Sequence, residues 1–169
     1  NEHIGIVNYL FEAIGLISKP IGWTANTSTV MAAVIVAELW RGIPFFAITL
    51  LAGLQAIPQE LYEAGSIDGC GRWKSFVYVT LPHLKDSIVL TTLMRTIWEF
   101  NSVDLIYNMT NGGPMNLTTT LSVYMMKTSV INSNYGYASA IGVVCFSILL
   151  AFSILYLKIT KYGKGGELS

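Results

Sequence analysis

Glu63-Ala64-Gly65-Ser66-Ile67-Asp68-Gly69, with Val79-Thr80-Leu81-Pro82 further on, is the stretch on which the reading of this chain turns. It is a compact polar segment set between strongly apolar ones. Pro58 can open a helix ahead of it, because its fixed φ and missing N–H suit a first helical position. Ile57, Leu61 and Ala64 then recur at helical spacing. Asp68-Gly69 is a turn pair in which Gly69 can take the positive φ that other residues resist. Arg72 to Val79 can form a second helix, with Trp73, Phe76 and Val77 as its apolar side, before Pro82 interrupts it. The stretch reads as two short helices joined by a glycine turn. Such a loop either lies on a membrane surface or gives another protein a place to take hold.

Working outward, the flanks fix the setting. Of 169 residues, 53% are hydrophobic and 12% charged, and the mean hydropathy is +0.54. That is too apolar for an ordinary soluble domain. A formal net charge of zero offers no concentrated basic patch, so nucleic-acid partners are set aside. Cys70 and Cys145 suggest neither a disulfide framework nor a metal site. His3 and His83 have no metal-ligand spacing with a cysteine or carboxylate cluster and read as surface residues, so neither a metal nor a cofactor is expected. The chain opens on Asn1 with no basic leader and short apolar core, and no signal peptide is read there.

A membrane-crossing helix needs ~20 mostly apolar residues to span ~30 Å of hydrocarbon. Residues 137–157 contain no charge; residues 28–54 carry Glu38, Arg41 and a kinking Pro44; residues 87–107 carry Arg95, Glu99 and Asp104. Basic residues orient the spans, because they favour the cytoplasmic side. Arg72, Lys74 and Lys85 lie in the central loop and Lys158, Lys161 and Lys164 in the tail, against only Lys19 and Lys127 in residues 1–27 and 108–136. The expected fold is therefore an all-α, polytopic membrane protein. It has an external loop over 1–27, three transmembrane helices at about 28–54, 87–107 and 137–157, and a cytoplasmic helix-turn-helix loop over 55–86.

The central loop closely resembles the EAA signature of inner-membrane permeases of binding-protein-dependent ABC importers: Glu-Ala-Ala, three residues, Gly, nine residues, Ile, one residue, Leu-Pro. Glu63, Ala64, Gly69, Leu81 and Pro82 match in register, while Gly65 replaces the second Ala and Val79 replaces Ile. Further stretches look like the sugar permeases of the maltose and glycerol-3-phosphate type. These are Ala52-Gly53-Leu54-Gln55-Ala56-Ile57-Pro58, Ile67-Asp68-Gly69, Thr110-Asn111-Gly112-Gly113-Pro114, and Gly5-Ile6-Val7-Asn8 with Trp23. The family's first three core helices have no counterpart here, so the resemblance is to the C-terminal part of one such transmembrane domain.

The resemblance implies coupling, not covalent chemistry. The loop carrying Glu63, Ala64, Gly65, Asp68, Gly69, Leu81 and Pro82 would dock on a cytoplasmic ATPase subunit dimer, with Glu63 as the charged contact and Gly69 setting the angle between the short helices. The chain has no Gly-rich phosphate loop ending in Gly-Lys-Ser/Thr, so it is read as a transporter subunit and not as an enzyme. The other implied partners are a second permease subunit, an extracytoplasmic solute-binding protein facing residues 108–136, and the lipid of a bacterial or archaeal cytoplasmic membrane. A permease for glycerol-3-phosphate or a peptide, and a non-transporting scaffold, remain as alternatives.

Polar side chains at membrane depth are costly and usually face a cavity or one another. Arg95, Glu99 and Ser102 stand at i, i+4 and i+7, one helical face with Thr91 or Thr92. Trp40-Arg41-Gly42-Ile43-Pro44-Phe45 resembles the family segment in which an aromatic and a proline-broken turn line the substrate chamber. Trp40, Phe45, Arg95, Glu99 and Ser102 are thus the expected solute path, with Trp40 and Phe45 stacking on sugar rings. The competing reading is that Arg95 with Glu99, and Glu38 with Arg41, are intrahelical ion pairs that lower the cost of insertion.

Overall fold

The computed structural model describes residues 5–162, and no strand occurs among them. His3 and Lys164 lie outside the described residues, as does the start of the expected external loop. The elements in chain order are α1 (Ile6–Ala13), α2 (Val30–Gln55), α3 (Gln59–Ile67), α4 (Arg72–Ser75), α5 (Leu81–Phe100), α6 (Asp104–Thr110), α7 (Leu121–Met126) and α8 (Tyr135–Thr160). Single π-helical turns, Phe76–Thr80 and Lys127–Ile131, follow α4 and α7. Among the described residues, α2 and α8 are the helices long and apolar enough to cross a membrane. Each has 26 residues, about 39 Å of helix at ~1.5 Å per residue.

The third expected span differs from its sequence reading at both ends. α5 begins at Leu81, inside the segment assigned to the loop, and stops at Phe100; residues 101–103 are irregular and α6 restarts the helix at Asp104. A carboxylate in the first turn favours a new start there, because it faces the positive end of the helix dipole. With 20 residues, α5 has about 30 Å of length. Its His83, Lys85, Asp86, Arg95 and Glu99 keep it out of the apolar pair.

Proline behaves less disruptively than expected. α2 runs helical through Pro44, so Trp40 to Phe45 is continuous helix and not a broken turn. Pro58 is the residue before α3, one position earlier than a first helical residue. Pro82 sits in the first turn of α5, where an absent N–H is tolerated, and the wider π turn just before it takes up the change in register. There Leu81 N–H donates to the Phe76 carbonyl, five residues back.

The chain divides into two compact units: Asn1–Trp40 with Asn101–Cys145, and Arg41–Phe100 with Phe146–Ser169. In the first unit, Val34, Ile106 and Val123 form a small buried cluster with Val103 and Leu105 packed on it. α1 is tied to the segment after it: Trp23 Nε1 donates to Asn8 Oδ1 at 2.6 Å, Asn8 Nδ2 donates to the Ile21 carbonyl, and Phe11 meets Trp23 edge-on. In the second unit α2 and α5 pack closely at Gly53, where an added Cβ would come within 2.8 Å of Leu84 Cδ2. Buried Thr91 continues that face of α5, while buried Val89 and Leu93 lie on the opposite side of the helix at 3.6 residues per turn.

Candidate functional site

The segment 55–86 folds as the sequence pattern predicts in kind: short helix, glycine turn, short helix. Gln59 Nε2 donates to Glu63 Oε1 at 3.1 Å along the outer face of α3. Asp68 caps α3 and Gly69 follows with φ of +75°, the left-handed region that glycine enters without a Cβ penalty. Cys70 N–H closes the turn on the Gly65 carbonyl at 2.8 Å. At Gly65, an added Cβ would stand 3.8 Å from Cys70 Cβ and 3.9 Å from Val79 Cγ2. That is ordinary contact, so this position has room for the alanine of the signature.

Within the second unit the loop is fixed to the start of α5, since Tyr62 Oη and Thr80 Oγ1 lie 2.9 Å apart. Glu63, Ala64, Asp68, Gly69, Leu81 and Pro82 are exposed and Gly65 half-buried. Beside them Ile67 is 87% exposed and Trp73 77% exposed, with the Trp73 ring leaning on Phe76. A loop that exposes both a carboxylate and large apolar side chains has the composition of a protein-docking surface.

The residues expected at membrane depth divide between the two units. In the second unit, Glu99 forms an ion pair with Arg95 one turn earlier on α5, and its Oε2 lies 3.7 Å from Arg41 Nη2 of α2. Arg95 lies flat over Gly42, where an added Cβ would fall 3.0 Å from Nη2. Phe45 packs on Trp98 with ring centroids 5.0 Å apart. In the first unit, Ser102 is 9% exposed and its hydroxyl donates to Glu38 Oε1 at 3.0 Å, while Trp40 is 78% exposed. Ser102 therefore leaves the expected stripe: it lies beyond the end of α5, in the irregular residues before α6. The structure brings Arg95 and Glu99 together and adds Arg41 to them.

The expected external segment is tightly self-bonded. Asn111 and Gly112 have φ of +49° and +77°, and Thr110, Thr118 and Thr119 cross-link the turn through Thr110–Thr118, Thr118–Gly113 and Thr119–Gly112 hydrogen bonds. Lys127 Nζ donates to the Asn111 carbonyl at 2.6 Å. A cavity of about 610 Å³ opens beside this turn, lined by Asn111, Asn116, Tyr124, Lys127 and Asn132 among others. α7 and its π turn lie within residues 108–136, the segment expected to face the solute-binding protein.

Tyr62 carries no signal in the sequence, and Ile67, Thr80 and Gly42 stand in the quoted stretches without a role of their own. Gly42 is the one with an available signal, since a small residue beside Arg41 in an apolar helix marks close approach by a neighbour. Among the described residues, no group of three or more His, Cys, Asp or Glu is placed to hold a metal ion.

Comparison with known proteins completes the picture. The family described as the binding-protein-dependent transport system inner membrane component matches residues 4–161. The trehalose/maltose transport system permease protein MalF of Thermococcus litoralis is 36% identical over 162 residues, covering 96% of this chain and 54% of that protein. The diacetylchitobiose uptake system permease protein DasB of Streptomyces coelicolor is 38% identical over 168 residues, covering 99% and 51%. The sulfoquinovosyl glycerol permease SmoG of Agrobacterium fabrum is 38% identical over 157 residues, covering 93% and 50%. The chain thus spans about half the length of the curated relatives it matches. A crystal structure of a bacterial ABC transporter that imports the acidic polysaccharide alginate superposes with a TM-score of 0.80 at 21% identity, over 95% of this chain and 56% of that one, which shows a shared fold.

Proposed function

The chain belongs to the family of binding-protein-dependent transport system inner membrane components, and on that premise we propose that it contributes to the solute path of an ATP-driven importer for carbohydrates. Its relatives named above carry names of saccharide or glycoside permeases. We read residues 1–169 as the C-terminal part of one transmembrane domain in a bacterial or archaeal cytoplasmic membrane. Hydrolysis of ATP falls to a separate subunit, which docks on the loop 55–86; a second permease subunit and an extracytoplasmic binding protein complete the assembly.

The observation that carries this reading is the loop itself. It is held by the Gly69 turn and the Tyr62–Thr80 bond, yet it presents Glu63, Ile67 and Trp73 to the outside. A merely membrane-lying loop would bury its apolar side chains in lipid on one face; on α3 the Glu63 carboxylate stands four residues before Ile67, on the same face. Solute contacts are assigned to Trp40 and Phe45, whose rings suit the apolar faces of sugars, with Arg95, Glu99 and Ser102 as the polar residues of the path.

The test is made in the whole importer. Glu63→Lys and Gly69→Pro should each leave the protein in the membrane and abolish transport, with ATP hydrolysis no longer stimulated by the binding protein. Normal transport by both variants would refute docking through this loop.

A further inference from the structure

Thr80 is a polar residue in an unusual place. It is 6% exposed, it closes the single π turn between α4 and α5, and its hydroxyl meets Tyr62 Oη at 2.9 Å, eighteen residues away in sequence. A helical threonine ordinarily returns its hydroxyl to a carbonyl one turn back, as Thr96, Thr128 and Thr160 do in this chain. Thr80 bonds across to another helix.

The backbone around it explains why that bond matters. Pro82 has no N–H to give the Tyr78 carbonyl, and its ring crowds the same carbonyl. The chain there takes the wider π turn, in which Leu81 N–H reaches back to the Phe76 carbonyl. A π turn is a weak point in a helical rod and recurs at functional positions. Left alone, a loop joined to α5 through such a turn would bend there and transmit little of any force applied to α3. The Tyr62–Thr80 bond spans the weak point from the side, joining α3 to the residue on which the π turn ends. Val79, one residue earlier, packs toward the Gly65 position on the same helix.

We propose that the Tyr62–Thr80 hydrogen bond is the strut through which displacement of α3 is delivered to α5, bypassing the compliant π turn at Phe76–Thr80. Tyr62 and Thr80 are positioning residues, and neither needs to touch ATPase or solute. The proposal rests on the reading of the loop as the docking element, and it adds which side chains make the docked loop stiff.

The experiment uses the complete importer in proteoliposomes, measuring solute transported per ATP hydrolysed. Tyr62→Phe and Thr80→Val each remove one hydroxyl with little change of shape. Each should keep the amount of assembled complex and the binding of the ATPase, while solute carried per ATP falls about fivefold, the scale of one neutral hydrogen bond. Thr80→Ser keeps the hydroxyl and should restore the ratio. The double variant Tyr62→Phe/Thr80→Val should be no worse than either single one, because all three lose the same bond. Unchanged ratios in both single variants, a Thr80→Ser as defective as Thr80→Val, or additive losses in the double variant would each overturn the strut. Failure of the docking reading shows separately, as a Glu63→Lys importer that transports normally.

Discussion

Glu99 shows how far a single residue can be read from sequence. Its spacing from Arg95 gives the ion pair directly, since residues four apart on a helix are neighbours. The third member, Arg41, belongs to a helix more than fifty positions earlier, and no local pattern announces it. With two guanidinium groups facing it, Glu99 has a structural role that competes with a solute role. Glu99→Gln should lower the amount of assembled importer by exposing those cations to each other, and Arg95→Gln added to it should recover most of the loss; immunoblots of purified complex measure this. Glu99→Gln with full abundance and impaired transport would instead place the carboxylate against the solute. Trp40→Ala separates cleanly, because a ring 78% exposed in this chain leaves no internal void when truncated. Transport should fall while abundance holds.

At the scale of elements, helix type and order follow from periodicity and from proline and glycine, but boundaries do not. The expected stop at Pro82 is absent because a π turn absorbs the proline, and the expected run to Tyr107 is cut at Phe100, where Ser102 is drawn to Glu38 on α2. Both outcomes depend on groups distant in sequence. Helix α3 is the opposite case, with its turn at Asp68-Gly69 plain in the sequence. It carries one correctable weakness, the glycine at 65. Its surroundings accept a methyl group at 3.8–3.9 Å, and glycine inside a helix costs roughly 0.5–1 kcal/mol relative to alanine. Gly65→Ala should therefore stiffen the loop and raise the thermal midpoint of the complex slightly, with transport kept. A loss of activity or a lower midpoint would mean that a partner needs the space.

For the whole molecule, composition and the basic asymmetry are enough to suggest a polytopic membrane protein, and the EAA signature is enough to suggest its family. The proposed solute path is less legible, since the residues assigned to it fall into two units of the chain, and spacing along one helix says nothing about residues on another. Topology gives the global prediction. An impermeant thiol reagent applied to intact cells should miss Cys70 and label Asn116→Cys; Asn116 is exposed on its turn and Cys70 half-buried in the loop. To separate burial from sidedness, permeabilised cells or inverted vesicles should then gain labelling at Cys70. Labelling of Cys70 in intact cells would reverse the orientation and remove the docking proposal with it.

The bare Ile67 and Trp73 of the loop also bear on the life of the protein before it is assembled. Large exposed apolar side chains next to a charged turn are what chaperones and quality-control proteases recognise on unfinished complexes. If the loop docks on an ATPase subunit as proposed, a chain synthesised without that subunit would carry a signal for its own removal, and the docking partner would erase that signal by covering it. Subunit ratios would then be corrected by degradation and need not be matched at synthesis. In a pulse-chase without the ATPase subunit, the unmodified protein should disappear faster than in its presence, and Ile67→Ser/Trp73→Ser should lengthen the orphan's half-life. Equal half-lives for the two orphans would show that the exposed pair is not what marks unassembled chains.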